Sequence, residues 1–208
     1  MKLQDLTLKE FLEKIAANEA VPGGGSSSAL NAAIASALGE MVANLTIGKK
    51  KYTDVEERMK ELAGEMSAYR NRFVNDIDRD ADAYRLVMET YKLPKESEQE
   101  INVRNDTIQQ AMKSASLVPM EVAENACNML ISIAETVHKG NRNAITDGLV
   151  AMMACRTAIL GALLNVRINL SGIREESFVR ELTEKCDRLE KETLTKEKEL
   201  ICWVKTQI

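Results

Sequence analysis

Several residue types are scarce in this chain of 208 residues. Aromatic residues make up only 4% of it, and there are three prolines, ten glycines, four cysteines and one histidine. Few aromatic residues, together with abundant Ala, Leu, Met, Glu and Lys, disfavour a β-sandwich or barrel and favour helices. We therefore expect an all-α protein.

The few cysteines and the single histidine argue against the common metal and disulfide frameworks. Cys127, Cys155, Cys186 and Cys202 are widely spaced with no Cys-x-x-Cys pair, and only His138 could add an imidazole. We expect no metal site, no disulfide framework and a reduced, cytoplasmic protein. The first twenty residues alternate charged and apolar side chains without the apolar core of a signal peptide, which predicts mature structure.

The charge balance argues against nucleic acid or a membrane as partner. Lys and Arg total 28 against 32 Asp and Glu, a formal net charge of −4, whereas binding to polyanions favours the opposite balance. Two apolar stretches, about residues 25–47 and 144–170, approach the length of a membrane span. They include Glu40 and Asp147, which are costly in lipid, so we expect buried helices of a soluble protein.

Apolar residues recur every three or four positions, and the breaks in this pattern predict about six helices. Their ranges are about 6–18, 26–47, 53–91, 97–137, 143–170 and 175–205. We expect Thr53 or Asp54 to cap the third helix and Pro119 to kink the fourth. With no linker between the segments, we predict one domain over residues 1–208, an up-and-down bundle. The fifth helix is apolar nearly all round and should be central.

Two aspartates interrupt the apolar pattern of their helices. Asp80 falls within the apolar side of the third helix, and Asp147 begins a line of small and polar residues in the fifth that ends at Asn165 and Asn169. A desolvated carboxylate has a raised pKa, which suits proton transfer near neutral pH. The alternative is a structural pair between Asp80 and an arginine of the fifth helix, Arg156 or Arg167. The small residues likewise predict either close helix packing or a slot for a flat ligand.

A glycine- and serine-rich loop precedes the second helix. Its residues are Pro22, Gly23, Gly24, Gly25 and Ser26. Free N–H groups at the positive end of a helix suit an anionic ligand group. The loop lacks the lysine of a Walker sequence, and no strand precedes it as in a dinucleotide fingerprint. In the next connector, Lys49 and Lys50 are either a solvated turn or a binding site for a polycarboxylate tail.

Several segments taken together resemble a known enzyme family. They are residues 21–26 (VPGGGS), 80–84 (DADAY), 118–121 (VPME), 140–147 (GNRNAITD) and 165–170 (NVRINL). In this order they resemble the formimidoyltetrahydrofolate cyclodeaminases. That family includes the cyclodeaminase half of formiminotransferase-cyclodeaminase and related methenyltetrahydrofolate cyclohydrolases, and the resemblance covers essentially the whole chain.

The resemblance implies an all-α homodimer that acts on a folate one-carbon unit. In the expected reaction, folate N10 attacks the formimidoyl carbon on N5, ammonia leaves, and 5,10-methenyltetrahydrofolate forms. No transferase domain accompanies the resembling segments, so we expect a stand-alone cyclodeaminase. The expected partner is a tetrahydrofolate derivative with a polyglutamate tail, with no cofactor beyond this substrate.

The resemblance also suggests roles for individual residues. The reacting carbon is part of a cationic amidinium, so its site needs carboxylates rather than an oxyanion hole. We expect Asp80 or Asp147 to transfer the proton, and the other to stabilise the cation or to pair with the donor edge of the pterin. The remaining predicted binding residues are Asn143, Asn165 and Asn169 for the pterin, and Pro22, Gly23, Gly24, Gly25, Ser26, Lys49 and Lys50 for the glutamate tail. His138 is not carried over and is expected only as a cation at a helix C-terminus.

Two alternatives remain open at this point. A methenyltetrahydrofolate cyclohydrolase would use water at the same carbon and could employ the same acids. A non-catalytic helical interaction protein would use its small residues only for packing and its sixth helix for a partner. The second alternative predicts no folate binding and tolerance of Asp80→Asn and Asp147→Asn.

Overall fold

The computed structural model describes residues 2–208, and all of the regular secondary structure in that range is helical. The six α-helices are α1 (Leu8–Ile15), α2 (Gly24–Asn44), α3 (Glu56–Thr90), α4 (Glu98–Lys139), α5 (Ile145–Leu170) and α6 (Glu176–Lys205). Short 3₁₀ turns occupy Leu3–Asp5, Lys50–Tyr52 and Arg142–Ala144. The predicted all-α class and number of helices are therefore confirmed.

Local sequence explains how some of the helices begin. Thr7 caps α1 and Ser97 caps α4, each in a capping box with the glutamate three residues later. The predicted cap of the third helix is wrong, because α3 begins after Val55 without a side-chain cap. The Thr53 hydroxyl instead donates to the Lys50 carbonyl at 2.7 Å, within the preceding 3₁₀ turn.

The fifth helix lies at the centre of the bundle, as predicted. It packs against α2, α4 and α6, and α2 in turn packs against α3. Large side chains of α5, such as Met152, Ile159 and Leu163, are fully buried, so the main hydrophobic core forms around this helix. Arg142–Leu170 also has the length and mean hydropathy, 1.8, of a membrane-crossing helix, but the core helix of a bundle has the same properties.

One side of α5 and of its neighbour α2 remains uncovered. The exposed large apolar side chains there are Val150, Met153, Leu164 and Ile168 on α5, and Ile34, Met41 and Leu45 on α2. On each helix the residues are spaced in helical steps, so they line one side. We call this set the open apolar face. A soluble bundle usually covers so continuous an apolar surface with another element or another chain.

Helix α4 continues through Pro119, from Glu98 to Lys139. A proline has no N–H, so the carbonyl four residues earlier, that of Ala115, loses its normal helical donor. The side chain of Asn169 on α5 supplies the missing hydrogen bond, because its Nδ2 donates to the Ala115 carbonyl at 3.0 Å. The proline is thus accommodated by a contact from the neighbouring helix.

Close approach between α5 and α4 depends on Gly148. A Cβ at this position would lie 2.5 Å from Val137 Cγ2, and the β-branched Val137 has few other rotamers. Gly148→Ala should therefore lower the free energy of unfolding by about 1–3 kcal/mol, as overpacking does. The matched control is Gly64→Ala in α3, where a Cβ meets nothing within 4 Å. That control should stabilise by about 0.5–1 kcal/mol through helix propensity. Chemical denaturation measures both, and equal effects in the two variants would contradict this account of the packing.

Candidate functional site

Asp80 of α3 lies at the N-terminus of α2. The Ser26 hydroxyl is 3.0 Å from Asp80 Oδ2, to which it donates, and also 3.0 Å from the Ile77 carbonyl. A Cβ built on Gly25 would overlap the Asp80 carboxylate, so only glycine leaves room for it. The carboxylate therefore sits against the free N–H groups and the positive dipole end of α2.

The environment of Asp80 changes its proton affinity. Burial raises the pKa of Asp80, and the hydrogen bonds from the Ser26 hydroxyl and backbone partly oppose this. The effect of desolvation is the larger one, so the pKa lies above the ordinary value for an aspartate. Such a carboxyl gains and loses a proton closer to neutral pH than an exposed aspartate, which is the property of a proton-transfer group.

Asp80 faces a small cavity between α3, α4 and α5, which we call the Asp80 cavity. Its volume is about 140 Å³. Apolar walls with a few convergent polar groups are typical of small-molecule sites. An engineered cavity of about 150 Å³ holds a benzene ring, so this one accommodates about one ring of a ligand. The lining residues are Asp80, Ala83, Tyr84, Val87, Met112, Ala115, Asn165 and Asn169.

The two asparagines of the cavity use their amide N–H groups on backbone carbonyls. Asn165 Nδ2 donates to the Gly161 carbonyl at 2.8 Å, and Asn169 Nδ2 donates to the Ala115 carbonyl at 3.0 Å. Across residues 2–208, neither Oδ1 atom accepts a hydrogen bond from the protein. Both amide oxygens are therefore free to accept from a ligand.

The structural alternative for Asp80, a pair with an arginine of α5, is wrong. Arg156 lies 2.9 Å from Glu197, and Arg167 pairs with Asp187 and Glu190 of α6. Both arginines thus use their charge on α6, away from α3. Asp80 is left with Ser26 as its hydrogen-bond partner among the described residues.

The glycine-rich loop lies against a carboxylate of the chain itself. We expected an external carboxylate at the N-terminus of α2, and the structure places Asp80 there. The hydroxyls of Ser27 and Ser28 donate back to the carbonyls of Gly23 and Gly24. An internal carboxylate therefore lies where we expected an external one, and the role of Pro22, Gly23, Gly24, Gly25 and Ser26 in holding a glutamate tail stays a prediction.

The other predicted site residues lie far from the Asp80 cavity within one chain. Asp147 is in the first turn of α5, and a rise of about 1.5 Å per residue puts it roughly 27 Å from Asn165 along the helix. Asn143 precedes α5 at the same end. We call residues 46–52 together with 141–147 the distal end. Within one chain, Asp80 and Asp147 therefore do not share a site.

The distal end also includes the two predicted lysines. The Asn141 N–H donates to Thr46 Oγ1 at 2.8 Å, and the Arg142 N–H donates to the Tyr52 hydroxyl at 3.0 Å. These bonds join the connector that carries Lys49 and Lys50 to the start of α5. Both lysines are exposed.

Sequence reasoning gave too little weight to Asp76, one turn before Asp80 on the same side of α3. Its side chain is only 1% exposed. Its Oδ1 accepts from Arg79 at 2.6 Å, Arg79 also bonds Glu121 at 2.8 Å, and Oδ2 is buried without a partner. Burial raises the pKa of Asp76 more than Arg79 and Arg72 lower it. Its position at the edge of the apolar pattern was the one signal in the sequence.

The His, Cys, Asp and Glu side chains that could bind a metal ion do not cluster in the part of the chain that the structure describes. Within residues 2–208 no group of three or more His, Cys, Asp or Glu side chains is arranged to hold a metal ion, and the four cysteines are unpaired. His138 lies in the last turn of α4 and packs against Trp203, with ring centroids 4.1 Å apart. It takes no part in the Asp80 cavity.

Fold and cavity together define a helical bundle in which two asparagines and Asp80, whose pKa is raised by burial, line a ring-sized space. The sequence matches the family described as formiminotransferase-cyclodeaminase over residues 7–188. The chain belongs to this family, which confirms the resemblance inferred from its motifs.

Individual relatives agree with this assignment. The chain is 38% identical over 176 residues to a methenyltetrahydrofolate cyclohydrolase of Methylorubrum extorquens, covering 84% of each chain. It is 32% identical to the formimidoyltransferase-cyclodeaminase of Mus musculus, covering 85% of this chain but 32% of the relative. The chain thus spans about a third of the formimidoyltransferase-cyclodeaminases that it matches. A crystal structure of formiminotetrahydrofolate cyclodeaminase from Thermotoga maritima has a TM-score of 0.88 and 31% identity, covering 99% of this chain and 98% of that one.

Because the pKa of Asp80 is raised, the stability of the fold should depend on pH. The folded state holds this proton more tightly than the unfolded chain, so stability falls as pH rises from the unfolded pKa, about 3.9, through the folded pKa. Asp80→Asn removes the ionisable group, and with it this fall in stability at higher pH. The variant should melt at a higher temperature than wild type at pH 7, and the difference should shrink toward pH 4.

The control for this prediction is Asp82→Asn, since the Asp82 side chain is 69% exposed. It should change the melting temperature little at either pH. If Asp80→Asn instead destabilises the fold, and more so at pH 7 than at pH 4, the ionised carboxylate is net stabilising at the N-terminus of α2 and our account of its burial is wrong.

Proposed function

We propose that this protein is a formimidoyltetrahydrofolate cyclodeaminase, which closes 5-formimidoyltetrahydrofolate to 5,10-methenyltetrahydrofolate and releases ammonia. The observation that carries the proposal is Asp80, a carboxyl with a raised pKa in a mostly apolar cavity. Membership of the family supports a folate derivative as substrate. The proposed setting is the cytoplasm, with no cofactor beyond the folate.

The reaction requires one proton to move between two nitrogens. N10 forms a bond to the formimidoyl carbon, and the C–N bond to the departing nitrogen breaks. The proton on N10 must reach that nitrogen so that it leaves as neutral ammonia, while the positive charge stays on the new methenyl group. Asp80 is proposed to accept the proton from N10 and deliver it to the leaving group. Its ionised form also stabilises the cationic carbon before and after the transfer.

Ring closure suits the size of the cavity. The nucleophile in ring closure is part of the substrate, so no water has to be held. Ala83, Val87, Met112 and Ala115 form apolar walls beside Asp80. Asn165 and Asn169 supply amide oxygens that accept from N–H groups of the substrate.

A second candidate is methenyltetrahydrofolate cyclohydrolase. The specific observation in its favour is the Methylorubrum extorquens relative of that name, with 38% identity over 84% of both chains. Water would then attack the same cationic carbon, and Asp80 would act as its base. The two activities differ in substrate and in whether ammonia is released.

We further propose that the active form is a homodimer joined through the open apolar face. The Asp80 cavity has room for about one ring, so most of a folate must lie outside it. If the α5 helices of two copies pack antiparallel across a two-fold axis, the distal end of one chain meets the Asp80 cavity of the other. The partner subunit's Asp147 would then face the same substrate, and Lys49 and Lys50 would bind its glutamate tail.

The function is tested with both folates. Wild-type protein should form methenyltetrahydrofolate from the 5-formimidoyl substrate with one ammonia per turnover. Asp80→Asn should lower turnover at least about a hundredfold, since it removes the proton carrier. The folded control Asp82→Asn should keep its rate. Enzyme-dependent loss of the methenyl compound, with no reaction of the formimidoyl substrate, would establish the cyclohydrolase instead. Near-normal turnover by Asp80→Asn would remove this residue from the proton transfer.

The shared site is tested by subunit complementation. Asp80→Asn and Asp147→Asn homodimers should both be impaired. When the two variants are co-expressed, half of the dimers should be mixed, and each mixed dimer should contain one site with both acids intact. Activity should therefore recover to about a quarter of wild type. No recovery, or full activity of Asp147→Asn alone, would contradict a site built from two chains.

A further inference from the structure

Pro119 is a buried proline inside α4, where a proline is strongly disfavoured. It cannot donate to the Ala115 carbonyl, and Asn169 Nδ2 occupies that acceptor instead. A residue with an N–H at position 119 would donate to the Ala115 carbonyl within the helix and compete there with the Asn169 side chain. Pro119 of α4 and Asn169 of α5 are therefore linked through the Ala115 carbonyl.

The arrangement determines which end of the amide faces the cavity. A carbonyl only accepts hydrogen bonds, so Asn169 must turn its NH₂ group toward Ala115 and its Oδ1 away from it. Asn165 is held in a similar way by the Gly161 carbonyl. Asp80, Asn165 and Asn169 thus each bring an oxygen acceptor to the lining of the cavity, and Tyr84 adds a hydroxyl.

We infer that Pro119 is a positioning residue that fixes the Asn169 amide by freeing the Ala115 carbonyl, and so makes the Asp80 cavity selective for ligands that present N–H donors. The chemical identity of the ligand rests on the proposed function. A formimidoyl group presents N–H, whereas the isosteric formyl group presents an oxygen acceptor. The cavity therefore discriminates between two substituents of nearly equal size by their hydrogen bonding, because an acceptor placed against unpaired oxygens is disfavoured.

The test is a double-mutant cycle between Pro119→Ala and Asn169→Ala. Pro119→Ala should lower kcat/KM for the 5-formimidoyl substrate about tenfold, the loss expected for one hydrogen bond to a charged group. It should also tighten inhibition by 5-formyltetrahydrofolate, since a flipped amide donates to the formyl oxygen. In the Asn169→Ala background, Pro119→Ala should have no further effect. Equal losses in both backgrounds, with no change in the preference for formimidoyl over formyl, would overturn the inference.

Two controls separate positioning from folding. Pro94→Ala changes an exposed proline between α3 and α4 and should leave kcat/KM unchanged. Pro119→Ala should melt no lower than wild type, because alanine is the better helix residue. A folded Pro119→Ala variant with unaltered kinetics would also overturn the inference.

A spectroscopic readout does not depend on the reaction. In wild type, the side-chain NH₂ signals of Asn169, assigned by their loss in Asn169→Ala, should show a hydrogen-bonded proton that exchanges slowly. In Pro119→Ala that protection should disappear. Retained protection would overturn the positioning role, whatever the kinetics. If Pro119→Ala loses the protection and the wild-type protein is inactive on the formimidoyl substrate, the positioning role is supported and the proposed function is rejected.

Discussion

The contact between the Asp80 carboxylate and the N-terminus of α2 is the interaction on which the site depends. It joins residues 54 positions apart in the chain, Ser26 and Asp80, and brings the start of α2 against α3. Gly25 is required because any side chain there would occupy the space of the carboxylate. Gly24 lies near the Asn165 side chain, with a Cβ position 3.1 Å from its Nδ2. The small residues of α2 thus serve both close packing and the placement of the acid.

Burying carboxylates costs stability, and α3 holds the buried Asp76 one turn before the half-buried Asp80. Asp76 keeps an unpaired oxygen, and Asp80 has Ser26 as its partner among the described residues. For both residues burial is the dominant influence and the pKa rises. A purely structural bundle gains nothing from such groups, since apolar residues of similar size stabilise a core better. Their presence is consistent with a chemical role. The apolar packing around α5 offsets the loss of stability that they cause.

The sequence was sufficient for the features that depend on periodicity and composition. The all-α class, the six helices, the central fifth helix and the anomalous position of Asp80 follow from local patterns. The failures arose where a side chain takes a partner that the helix pattern does not specify, in two of three cases a distant one. Thr53 bonds its own turn rather than capping α3, the anion at the N-terminus of α2 is Asp80 itself, and the partner of the carbonyl freed by Pro119 comes from α5. Such tertiary pairings leave no mark in a local pattern.

Burial raises the pKa of Asp80, so this carboxyl should stay partly protonated at a pH where exposed aspartates are fully ionised. The most direct measurement is a pH titration of the Asp80 side-chain carboxyl carbon by ¹³C NMR, with the signal assigned by its loss in Asp80→Asn. The account predicts a midpoint clearly above the ordinary value of about 3.9. A midpoint at or below that value would mean that the N-terminus of α2 stabilises the ionised form more than burial disfavours it. That result would contradict Asp80 as the proton carrier of this site.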